Sequence, residues 1–75
     1  MRVYEITVRG VDKLTYRITK TAVDESDLWS RLGAEARDGK ILAEVRGQGG
    51  TWSPCYLTAN NVACYELPVI VVSDG

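Results

Sequence analysis

The sequence predicts a small α+β domain, with one antiparallel sheet of about five strands in the order ββαβββ and a single helix packed on one face. Three observations carry this. Residues 2–9 and 14–19 alternate apolar with polar side chains, the period of half-buried strands. Residues 24–39 place apolar residues at helical spacing between capping residues. Residues 40–67 return to strand-forming sequence, broken by glycine and asparagine turns. The same pattern also suits a small half-closed β-barrel with one helix. Residues 1–75 read as a single domain, with 68–75 a C-terminal tail or short extra strand.

In the first strand, "RVYEITVR", Tyr4, Ile6 and Val8 share one face and Glu5, Thr7 and Arg9 the other. In "LTYRIT", Leu14, Tyr16 and Ile18 oppose Thr15, Arg17 and Thr19, and "GVDK" is a short hairpin link. An even register pairs them, such as Val8 with Leu14, Ile6 with Tyr16 and Glu5 with Arg17. The helix follows. Asp24 is its N-cap, Glu25 and Asp27 suit its positive end, and Gly39 suits the left-handed position past its end. Leu28, Trp29, Leu32 and Ala36 form its core stripe.

"KILAEVRG" turns Ile41, Ala43 and Val45 inward, and "GQGGT" is a flexible hairpin tip. A fourth strand runs from Trp52 to Thr58. Asn60-Asn61 then suit a two-residue turn that folds "NNVACYEL" back on it, with Tyr56 opposite Tyr65. Pro68 interrupts the ladder before the tail "VIVVSDG".

Composition narrows the function classes. The 45% hydrophobic and 25% charged fractions are those of an ordinary globular domain. Nine basic against ten acidic residues, net −1, lack the footprint of a nucleic-acid or anionic-membrane binder, so neither partner is expected. The apolar run at 69–72 falls far short of the ~20 residues of a membrane span. With no signal-like stretch, the chain reads as cytoplasmic, and Cys55 and Cys64 as reduced structural thiols.

No metal site is expected from two cysteines and no histidine, and no cofactor motif is present. "GQGG" precedes a strand rather than a helix, so it lacks phosphate-cradling geometry. Without a histidine base, and with carboxylates dispersed over strands and helix ends, the chain reads as non-enzymatic.

Both faces of the fourth and fifth strands are largely apolar, and one helix covers only one of them. The second face, with the tail, is expected to meet another copy or a protein partner through Trp52, Tyr56, Tyr65, Leu67, Val69, Ile70, Val71 and Val72. The alternative is single-stranded nucleic-acid or nucleotide binding, with Arg46, Trp52 and Tyr65 as a stacking platform.

Overall fold

The alternating N-terminal sequence forms two long strands, β1 (Arg2–Gly10) and β2 (Thr15–Ala22), in a computed structural model that describes residues 1–73. Ile6 faces Ile18 and Val8 faces Tyr16. The register lies two residues from the expected one, so each side chain keeps its face, but Thr7 rather than Glu5 opposes Arg17. The turn is the cause. The Gly10 N–H donates to the Leu14 carbonyl at 3.0 Å, Lys13 adopts φ 68°, and Asp12 Oδ1 accepts the Leu14 N–H. Leu14 is thereby drawn into the loop and exposed.

Helix α1 (Glu25–Arg37) begins at Asp24, whose carboxylate accepts the Asp27 N–H at 2.8 Å, and is followed by Gly39 at φ 102°. Leu28 and Leu32 are buried and Ala36 packs against the core, while Trp29 stands at the rim. Strands β3 (Ile41–Arg46) and β4 (Trp52–Leu57) then pair from Ile41–Leu57 to Arg46–Trp52. The tip between them is a 3₁₀ turn whose Gly49 and Gly50 take positive φ.

The sheet opens between β2 and β3, which are bridged at Tyr16–Val45 and Arg17–Glu44 and part beyond. Glu35 of α1 reaches into the opening. Its Oε1 accepts the Leu42 N–H at 2.8 Å, and its carboxylate pairs with Lys20. Lys20 lies on the inward row of β2, with Ile18 and Ala22, and desolvation holds its ammonium below the ordinary lysine value.

The expected hairpin of the fourth and fifth strands does not form. Residues Ala59–Asn61 make a 3₁₀ turn, capped by Thr58, whose hydroxyl donates to Asn61 Oδ1 at 2.5 Å. Neither asparagine takes the positive φ a tight hairpin needs; Lys13 alone does among described non-glycine residues. The chain crosses instead to the far edge, where β5 (Val62–Tyr65) pairs with the end of β1, Tyr65 opposite Val8. A bulge there places Val62 and Tyr65 on the core side and Cys64 opposite Arg9, which overturns the simple alternation expected of this strand. After Pro68, residues 69–73 of the expected tail form a strand, β6 (Val69–Ser73), paired with the start of β1, and residues 74 and 75 lie outside the described ones.

The order is β4-β3-β2-β1-β5, with β6 beside β1 on the same edge as β5. Five flat strands span about 19 Å between the outermost two. Five residue steps that include a 3₁₀ turn reach only about 14 Å. The sheet is therefore strongly curled, although β4 and β5 remain unpaired. Its inner face and α1 enclose one core, with Ile6, Val8, Ile18, Leu28 and Ile41 fully buried.

Candidate functional site

The residues expected to share one apolar surface occupy opposite edges of the sheet. Trp52 and Tyr56 lie on the outer face of β4, because Cys55 and Leu57 point to the core. The Arg17 guanidinium stacks on Trp52, 4.3 Å from the ring centroid, and is held there by Glu44 at 2.8 Å. Lys40 stands 5.6 Å from the Tyr56 ring. Where β2 and β3 part, this face carries a groove of about 290 Å³, lined by Arg17, Thr19, Leu42, Glu44 and Pro54 among others. Arg46 does not line it and is the register partner of Trp52.

β4 is a free edge, yet a blunted one. The Leu42 N–H points toward β2, so Ile41, Ala43 and Val45 direct their main-chain groups toward β4. The partners Leu57, Cys55 and Ser53 answer them, and Trp52, Pro54 and Tyr56 face outward. Proline thus sits where its missing N–H would have pointed out of the sheet.

The opposite edge is apolar and unprotected. Val69, Ile70, Val71 and Val72 of β6 are 60%, 48%, 48% and 57% exposed, and Leu67, just before it, is 84% exposed. β6 takes its backbone partners from β1, with Val71 as the extra residue of a bulge between Ile70 and Val72. No strand flanks its outer side among the described residues. Tyr65 turns inward and meets Trp29 edge to face at 5.8 Å, over a shallow hollow of about 180 Å³ floored by Leu32, Gly33 and Ala36. Trp29 thus closes the rim of the core rather than filling it.

Arg46, Trp52 and Tyr65 do not meet as a platform. Arg46 and Trp52 are neighbours on β3 and β4, Arg17 occupies a face of Trp52, and Tyr65 lies on the core side of β5 at the other edge. The cysteines also separate. Cys55 packs against the core from β4 and Cys64 is exposed on β5, both as free thiols. The common face expected of them required the hairpin that does not form. Burial, with a smaller contribution from Glu44, pushes the Cys55 thiol up, away from nucleophilic character.

Among the described residues the most shifted titrating group is Tyr16, whose partner lies in the β1–β2 turn. Tyr16 donates to Asp12 Oδ2 at 2.6 Å, and this bond, aided by burial, pushes the phenol up to about 12. Hydrogen bonds from Tyr16 and the Leu14 N–H hold the Asp12 carboxyl below its usual range. Among the described residues no cluster of three or more carboxylates, thiols or imidazoles suits a metal ion, and no helix is long and apolar enough to cross a membrane.

No protein-family model, curated protein or solved structure matches the chain. Its functional reading rests on its own geometry. Sequence reasoning did not find the groove, the Arg17–Trp52 stack or the Glu35 bridge. A signal for the bridge was present in Lys20, a charged residue in the otherwise apolar inward row of β2.

Proposed function

We propose that this protein is a non-enzymatic interaction module that associates, with its own copies or with a protein partner, through the edge formed by Leu67 and β6. The observation that carries this is the exposure of five successive apolar positions, 67 and 69–72 apart from Pro68, beside a strand whose outer backbone has no partner among the described residues. Such an edge is a template for strand addition or apolar docking, and leaving it bare invites aggregation. The other edge carries the protection that this one lacks, in Pro54.

Backbone hydrogen exchange at low and high micromolar concentration tests the reading. Amides of residues 67–73 are expected to exchange more slowly at high concentration, or on adding a blocked peptide of sequence Val-Ile-Val-Val-Ser flanked by lysines. Unchanged exchange in both experiments overturns it.

A further inference from the structure

The two surfaces are separate and differ in charge and shape: the groove is lined from β2, β3 and β4, whereas the Glu66–Pro68 segment follows β5 on the far side of β1. The outer face of β3 and β4 holds the groove lined by Thr19, Leu42 and Pro54 among others. Lys40, over the Tyr56 ring, and Arg46, opposite Trp52, stand on this face without lining the groove; neither forms an ion pair among the described residues, so with Arg17 neutralised by Glu44 the surroundings of the groove bear more positive than negative charge. The other surface projects Glu66-Leu67-Pro68, in which Leu67 is the most exposed large apolar residue and Glu66 forms no ion pair among the described residues.

We infer that the groove of one copy receives the Glu66–Pro68 segment of a second copy. Leu67 enters between Leu42, Thr19 and Pro54, and Glu66 meets Lys40 or Arg46 at the groove's margin. This rests on the proposed association through the Leu67–β6 edge and names the surface that edge meets. Because knob and groove are different surfaces, the contact is heterologous: each copy keeps one of each free, and assembly continues head to tail unless it closes into a ring. The blunted β4 edge agrees with docking by side chains into the groove rather than by strand pairing at Pro54. A contact of this size falls below the standard interface of about 800 Å² a side, so the association is weak.

Nucleic acid is the competing occupant of a cationic, aromatic face. It is disfavoured because Arg17 already covers a face of Trp52, and a net charge of −1 opposes a polyanion.

Complementation between two full-length variants tests the inference. Leu67→Asp removes the knob and leaves the groove, whereas Leu42→Asp blocks the groove and leaves the knob; both sites are exposed, so both variants are expected to fold. In sedimentation, wild type is expected to grow beyond a dimer with concentration, and each variant alone to weaken association by roughly tenfold or more. Their equimolar mixture is expected to form a one-to-one dimer and stop there. Charge reversal at Lys40 with Arg46 is expected to weaken wild-type assembly, and Glu66→Lys to restore it.

If wild type forms a fixed dimer that Leu67→Asp dissolves and Leu42→Asp does not, the groove assignment falls while the edge reading stands. If wild type stays monomeric and exchange at residues 67–73 is also insensitive to concentration and peptide, both fall. Salt-sensitive binding of a single-stranded oligonucleotide, abolished by the Lys40 and Arg46 reversals, without self-assembly, also overturns it.

Discussion

Tyr16 and Asp12 show how one hydrogen bond sets both a turn and a titration. Asp12 accepts from the Leu14 N–H and from the Tyr16 hydroxyl, so its carboxylate fixes the loop to the strand that follows. Gly10 makes room for this: a Cβ there would stand 2.4 Å from Asp12 Oδ1 and 2.7 Å from the Tyr16 ring. The fold holds the Tyr16 proton up to about 12, above the ~10 of an unfolded tyrosine. The resulting stability is complete below about pH 10 and is lost as pH rises toward 12. Asp12 has the opposite sign. Its folded value is depressed, so its contribution is present above about pH 4 and fades as the carboxylate protonates in acid. In a spectrophotometric titration one phenol should ionise near 12, and Tyr16→Phe should remove that step while adding acid and alkali stability to neither limb. A titration in which Tyr16→Phe leaves the highest step in place would contradict this assignment.

At the scale of elements, what was legible depended on how local its cause is. The first two strands and the helix follow from periodicity and caps within a few residues, and Leu28, Leu32, Ile41 and Ala43 are buried as their spacing requires. The register of β1 on β2 depended on a turn conformation at Asp12 and Lys13 that spacing alone does not encode. The position of β5 was harder to read. "TANN" can turn back as a hairpin or begin a helical turn, and the Thr58–Asn61 cap decides for the second, three residues apart as helix caps are. That single choice moves Tyr65, Cys64 and Leu67 to the other edge and divides the expected surface in two. Gly33 gives a direct test of the helix. It is interior to α1, and a Cβ built there meets nothing within 4 Å. Gly33→Ala is therefore expected to stabilise the protein by about 0.5–1 kcal/mol in denaturant unfolding. A loss of stability would show that the hollow under Trp29 and Tyr65 needs the glycine.

For the whole molecule, one helix cannot cover a six-stranded antiparallel sheet on both faces, and the curl brings only the inner face around the core. The outer face carries its own solutions in the Arg17–Glu44 pair and the cations set over Trp52 and Tyr56. The Leu67–β6 edge has none, and this asymmetry underlies the proposed association. Sedimentation of the wild-type chain from low to high micromolar concentration, beside Val71→Asp, addresses it most directly. The expected result is a mass that rises with concentration for wild type, and a folded monomer throughout for Val71→Asp, because a carboxylate cannot be buried in an apolar contact without a cost of several kcal/mol. A wild-type chain that remains monomeric at every concentration, or a Val71→Asp chain that associates equally well, would contradict the account.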